Sequence, residues 1–216
     1  MQKRFASWFV LSIPLAVFVL VLALCAPTAT ANNSNHHATL RGTVQSGGRG
    51  LSGYQVSLYG SFSQTAPHWL LLGSSTTDRS GRFAINYLQN GSWNQDQPVL
   101  FVEASKGPAM LASVIGIGLD APGSVVVNEL TTVATGNAYA QFIGSTSIQG
   151  NLYGMKNAIS MAANLVDPVT GDVGVVLRLR PNGTETTTYA TFNTLSNVVA
   201  SCVADNSKIG SRSSSG

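Results

Sequence analysis

Thr77-Asp78-Arg79-Ser80-Gly81-Arg82-Phe83-Ala84-Ile85 reads as a tight turn feeding a strand. An aspartate at the head of such a turn accepts hydrogen bonds from backbone N–H groups two or three residues on, so Asp78 closes it locally. Gly81 supplies the positive φ that the reversal needs, at no steric cost. Beyond the turn, Phe83 and Ile85 fall on one face of a strand, with Arg82 and Ala84 on the other. That alternation describes a strand with one face in a core. The chemistry of Asp78 and Gly81 is therefore structural, not catalytic.

Outward from this turn the same texture continues. Leu40 to Val44 alternates and runs into Gly47-Gly48-Arg49-Gly50. Tyr54 to Tyr59 alternates again, and Trp69–Leu72, Val99–Val102, Leu111–Ile117 and Val125–Val127 are further apolar runs. Gly, Pro, Asn and Asp clusters, such as Asp120-Ala121-Pro122-Gly123, punctuate them at short intervals. Short strands so spaced predict an antiparallel β-sandwich over 38–127.

The period changes at Asn128, placed to cap a helix. Leu130, Val133, Ala134, Ala138 and Phe142 fall on one helical face, and Leu152, Met155, Ile159, Ala162, Ala163 and Val166 repeat the spacing until Asp167-Pro168 stops it. Val173 to Leu179 reads as a short strand or an extended link, and Pro181-Asn182-Gly183 as a turn. A third stripe, Tyr189, Phe192, Leu195, Val199 and Cys202, predicts a helix from about Thr188 to Ala204 with Cys202 partly buried. The fold class is thus α+β: an N-terminal sandwich followed by a small helical module over 128–206. Ser207 to Gly216 is Ser/Gly-rich and reads as a flexible tail.

Three motifs in order carry a family resemblance. Gly42-Thr43-Val44, then Leu51-Ser52-Gly53-Tyr54-Gln55-Val56-Ser57-Leu58, then the Thr77–Ile85 stretch resemble the carboxypeptidase regulatory-like, prealbumin-type β-sandwich. The resemblance covers about 38–107 and departs at Gly50, where that family commonly has a proline. Downstream, Val127–Val133, Ala163–Asp167, Thr170-Gly171 and Phe192–Val203 resemble a helical segment of uncharacterised bacterial exported proteins. In those proteins further cysteines follow, which implies a partner for Cys202 beyond this sequence.

The N-terminus has the three parts of a secretory signal. Lys3 and Arg4 form the positive end, Trp8 to Ala26 the apolar stretch, and Ala29-Thr30-Ala31 the cleavage pattern. This sets the signal at 1–31 and a polar leader at 32–37. The alternatives are an uncleaved membrane anchor, and a lipoprotein modified at Cys25 behind the poorly matching Leu22-Ala23-Leu24. Only 10% of the 216 residues are charged, against about 25% in ordinary soluble chains. A neutral-polar surface of that kind suits an exported protein. Of 12 Lys and Arg, ten remain without Lys3 and Arg4, against nine Asp and Glu, a net of +1. That excludes a basic stripe for nucleic acid. Membrane contact is expected only through the signal, if it is uncleaved.

The sequence carries none of the common catalytic constellations. His36, His37 and His68 lack glutamates at metal-ligand offsets, and no Gly-x-Ser-x-Gly elbow occurs. The resemblance to a carboxypeptidase accessory domain therefore implies no peptidase activity. His36-His37 reads as part of a solvated leader, though it has the chemistry to bind a stray metal ion. Asp167 and Asp172, with Asn164, read as a calcium site or, more simply, as a helix stop and turn. Pairing of Cys202 with His68 is left open; the plainer reading is a small core residue. Gly116–Ala121 matches a dinucleotide fingerprint in letters only, since Pro122-Gly123 follows instead of a helix. No early-strand lysine is present for a Lys–Asn crosslink, Arg41 being the cation there. Neither metal nor cofactor is expected. Among the aromatics of the β part, Trp93 in its polar loop is the candidate ligand contact, with core or loop packing as its plainer reading, whereas Trp69 in Trp-Leu-Leu-Leu reads as core. The expected function is an exported, non-enzymatic binding or interaction module of the cell envelope or extracellular space, with a protein or carbohydrate ligand. The alternative is a structural N-terminal fragment of a larger envelope protein, with a hydrolase as a remote third.

Overall fold

A computed structural model describes residues 35–62, 68–90, 93, 97–144 and 148–213, the side chains of 68 and 206–213 excepted. The predicted signal, 1–31, and positions 32–34 of the leader lie outside the described residues. The strands are β1 (His36–Ser46), β2 (Arg49–Gly50), β3 (Gln55–Phe62), β4 (His68–Thr76), β5 (Arg82–Gln89), β6 (Val99–Lys106), β7 (Ala109–Ile117) and β8 (Ser124–Val127). Four helices follow: α1 (Glu129–Tyr139), α2 (Leu152–Leu165), α3 (Val175–Arg178) and α4 (Thr188–Ser213). The chain is α+β, with two four-stranded sheets followed by helices.

In the first sheet β1 pairs antiparallel with β5, from His36↔Gln89 to Thr43↔Arg82, and its end folds onto β2. β8 pairs parallel with β1, from Arg41↔Ser124 to Val44↔Val127. This corrects the expectation of a purely antiparallel arrangement. β8 reaches β1 by a crossover from the other sheet rather than through a hairpin, so its direction is not forced to reverse. The second sheet has the order β4-β3-β6-β7, antiparallel throughout.

Side chains of both sheets meet in one core. Leu40, Val44, Ile85 and Val127 from the first pack in one cluster with Val56, Leu58, Val102 and Leu111 from the second. β5 alternates buried and exposed residues as a one-faced strand should. β6 does not: Val99 to Val102 are all buried. Its inner side faces the first sheet, while Val99 and Phe101 pack outward against Ala138 and Tyr139 of α1 and Met155 and Ala158 of α2. A third cluster, Ala134, Val166, Leu177 and Phe192, ties the helices to one another.

α1 begins where the sequence puts its cap. The Asn128 side chain accepts from the Thr131 N–H at 2.9 Å, and the Thr131 hydroxyl accepts from the Asn128 N–H at 2.9 Å. This reciprocal box satisfies two helix-end donors. Asn128 Nδ2 also donates to the Gly171 carbonyl at 3.0 Å, tying the start of α1 to the turn after α2.

The helical faces differ from the apolar count. Thr131, Ala134, Thr135, Ala138 and Tyr139 are the buried residues of α1. On α4, Phe192, Ser196 and Val203 are buried and Val199 is packed against the main core, while Leu195 and Cys202 point away from it. Ser196 can occupy that face because its hydroxyl donates to the Phe192 carbonyl at 2.9 Å. The stripe is thereby rotated, and the partial burial expected for Cys202 is corrected to exposure. Val173 to Leu179 is neither strand nor link: Val173 bridges to Val166 and α3 follows as one helical turn. His36 and His37 belong to β1 rather than to a leader, and α4 runs on to Ser213 where composition predicts a tail.

Candidate functional site

The structure puts Asp78 and Gly81 in the turn between β4 and β5. Asp78 Oδ1 accepts from the Ser80 N–H at 2.8 Å and from the Arg82 N–H at 2.9 Å. The Arg82 N–H, with help from the Ser80 N–H and the Arg82 charge, holds the Asp78 carboxyl below the usual aspartate value. Gly81 has φ +79°, and a Cβ there would press on the backbone of Val44, Leu51 and Gly50. These residues shape the turn and present no reactive group.

The two tryptophans exchange their expected roles. Trp93 is 3% exposed, with its ring 6.2 Å from Tyr87 and 6.1 Å from Phe62. It belongs to the main core, so the surface contact expected of it is corrected. A large aromatic gains more from that aromatic cluster than from a polar loop. Trp69 instead is 38% exposed, followed by Leu70 at 54% and Leu71 at 50%. Tyr59, paired with Leu71 across β3–β4, supports the Trp69 ring edge-on at 5.4 Å and stacks on Phe101 at 5.2 Å. An aromatic shelf thus runs from the covered centre of the second sheet to its open rim.

The two edges of that sheet are finished differently. Along β7, α1 supplies a row of hydroxyls. The Ala112 N–H donates to Thr132 Oγ1 at 3.0 Å, the Val114 N–H to Thr135 Oγ1 at 3.1 Å, and the Thr131 hydroxyl donates to the Ala112 carbonyl at 3.1 Å. These threonines take the place of a fifth strand. An apolar count along α1 does not register them; their spacing at 131, 132 and 135 beside an edge strand is the signal the sequence holds. β4, the opposite edge, has the sequence His-Trp-Leu-Leu-Leu-Gly-Ser-Ser-Thr, with neither proline, lysine nor acidic residue to discourage pairing. At Gly73 it approaches β5 closely, next to Ile85 and the Asn86 carbonyl, and Leu72 beside it packs against the main core.

Asp167 Oδ1 accepts from the Val169 N–H at 2.8 Å, and the Asp167 N–H donates to the Asp172 carbonyl, so this segment is built as a turn. Among the described residues no three His, Cys, Asp or Glu side chains cluster as metal ligands. Gly116–Ala121 runs from the end of β7 into a single turn of 3-10 helix, Gly118–Asp120, rather than into a phosphate-binding helix. A cavity of about 70 Å³ lies between β7, α1 and α2, lined mostly by Val114, Ile115, Ala134, Ile159 and Val166. That is well under the 300 Å³ or so of a ligand pocket. No described helix is long and apolar enough to cross a membrane.

No protein-family model and no curated protein matches the chain. Among solved structures, the crystal structure of a 9R-lipoxygenase from Cyanothece PCC8801 is similar over 70% of this chain and 28% of that one, at 15% identity and a TM-score of 0.29. The chain therefore spans under a third of the lipoxygenase, and a likeness of that degree carries no argument about fold or activity here.

Proposed function

We propose that the chain is an exported, non-enzymatic binding module on a prealbumin-like sandwich, and that its partner is held along β4. The observation that carries this is the contrast between the edges of one sheet. β7 is sealed by three threonines, while β4 presents Trp69, Leu70 and Leu71 on an uncharged strand. An open, apolar edge is a template for a partner, by main-chain pairing to an extended peptide or by stacking of a sugar ring on Trp69. The same strand exposed without a partner would be an aggregation hazard, which favours a use for it. The prealbumin-type reading rests on the Leu51–Leu58 and Thr77–Ile85 motifs falling at β3 and at the turn into β5.

The test compares the full chain with Trp69→Ser and Leu71→Lys on a glycan array and on an immobilised library of extended peptides. Saturable binding by the parent, lost by about tenfold or more in the variants at unchanged thermal stability, supports the reading. Binding that survives both substitutions, or no binding on either surface, overturns it. A second reading, a structural part of a larger envelope protein, is favoured by α4, whose outward residues Leu195 and Val198 are half-exposed or more beside the exposed Cys202. Genomic sequence downstream of Gly216 decides that one.

A further inference from the structure

The outer face of the first sheet carries a second feature, independent of β4. Arg41 pairs with Ala84, and Thr43 with Arg82, across β1–β5. Arg41 and Arg82 therefore leave the same face on diagonal positions, about 7–8 Å apart along the ladder. On the other side of β1, Arg41 is level with Ser124 and Thr43 with Val126. The inward partners of this patch, Leu40, Phe83, Ile85 and Val125, are all in the core. A groove of about 350 Å³ lies here, and Arg41, Thr43, Arg82, Ser124, Val126 and Val169 are among the residues lining it.

Its electrostatics are one-sided. No carboxylate lines the groove. Among the described residues neither guanidinium takes part in an ion pair, the pair between Arg180 and Glu185 lying elsewhere. Asp78 interacts with the Arg82 charge from the turn, but its Oδ1 is occupied by two backbone N–H groups. Asp167, which does not line the groove, accepts from the Val169 N–H. Two like charges set diagonally on adjacent strands repel each other. A guanidinium is also a fixed fork of donors, matched to oxygen pairs of carboxylate, sulfate or phosphate. Thr43, level with Arg82, and Ser124, level with Arg41, add hydroxyl donors to the same lining. The volume falls within the range of small-ligand sites, so the groove has room for a molecule bearing the anionic group.

We propose that this groove is an oxyanion-binding site, in which Arg41 and Arg82 hold a carboxylate, sulfate or phosphate group of a ligand lying along β1. The test is a titration of the isotope-labelled full chain with sodium sulfate, inorganic phosphate and acetate at constant ionic strength, followed by the amide and arginine Nε–H resonances. The expected result is a saturable shift centred on Arg41, Thr43, Arg82 and Ser124. Arg41→Gln and Arg82→Gln should each weaken it about tenfold, while Arg49→Gln on β2 leaves it unchanged. Both arginines are exposed, so thermal unfolding should be unaltered; if Arg82→Gln disturbs the turn, Arg41→Gln alone decides. Stronger shifts with acetate point to a carboxylate-bearing ligand, and stronger shifts with the tetrahedral anions to a sulfate or phosphate ester. Shifts that grow linearly, or equal affinity in the parent and Arg41→Gln, overturn the site.

Discussion

Val99-Leu100-Phe101-Val102 and Trp69-Leu70-Leu71-Leu72 are matched in length and apolar character, yet they end in opposite environments. The first is 0–1% exposed at every position, whereas Trp69, Leu70 and Leu71 of the second are 38–54% exposed. The difference lies in what surrounds each strand. β6 is central in its sheet, with the first sheet on one side and α1 and α2 on the other. β4 is an edge, paired on one side alone, with β3, among the described residues. A continuous apolar run thus records that neither face is meant for water, but not what covers each face: the protein's own layers, or a partner. In β6 the cover is internal; for β4 the proposed cover is the ligand.

The largest expected effect probes the covered run. Phe101→Ala removes a fully buried ring that joins Tyr59 to the helical layer. It should destabilise the chain by about 3–5 kcal/mol, as ring deletions in packed cores do. Leu71→Ala, in the matched run, should cost less than about 1 kcal/mol, because its side chain already sees water. Urea unfolding of the two variants measures both. Equal costs would mean that the β4 run is buried in solution, and the contrast between the strands would collapse.

Gly81→Val comes next and acts where the exposed strand turns back to the core. The residue sits at φ +79° with its missing Cβ aimed at the Val44 and Leu51 backbone. A β-branched residue there is strained in φ and crowded against atoms that cannot rotate away. A loss of about 1–3 kcal/mol is expected, read as a lower unfolding midpoint. An unchanged midpoint would show that the turn does not fix how β4 meets β5.

Much of this architecture was legible in the residues, and the failures share a cause. The strands around Leu40, Val56, Ile85, Val102 and Leu111 follow from alternation, and the start of α1 from Asn128. What apolar counting could not see is burial of hydroxyls. Thr131 and Thr135 on α1 and Ser196 on α4 occupy core-facing positions by hydrogen-bonding to backbone, and each shifts the apparent helical face by about one residue. That is why an apolar count places Leu195 and Cys202 inward. The reversal of Trp69 and Trp93 has a different origin. Neighbours in sequence suggest core for one and loop for the other, but the deciding contacts, Tyr87 and Phe62 on Trp93, come from strands β5 and β3. The parallel pairing of β8 was likewise invisible, because strand direction depends on the route of the connection rather than on the four residues themselves.

The smallest expected effect lies where β6 emerges from its helical cover. Glu103 follows the buried run, paired with Ser57 on β3 and Ala112 on β7, and is partly buried. Burial pushes its carboxyl above the usual glutamate value, with no compensating charge or hydrogen bond contributing. A carboxyl raised in the folded state binds its proton more readily there than in the unfolded chain, whose value is about 4.3. Its stabilising contribution is therefore complete below that unfolded value and is lost as the pH rises through the folded one. At pH 7 the ionised group is a cost, which Glu103→Gln removes while keeping the shape. The variant should be more stable than the parent at pH 7 by less than about 1 kcal/mol, since the side chain is still partly screened by water. The gain should shrink toward zero below about pH 4. Urea midpoints of parent and variant at the two pH values measure it. A variant less stable than the parent at pH 7 would show that Glu103 has a partner favouring its charge, and that the cover over β6 ends in a polar contact rather than a dry one.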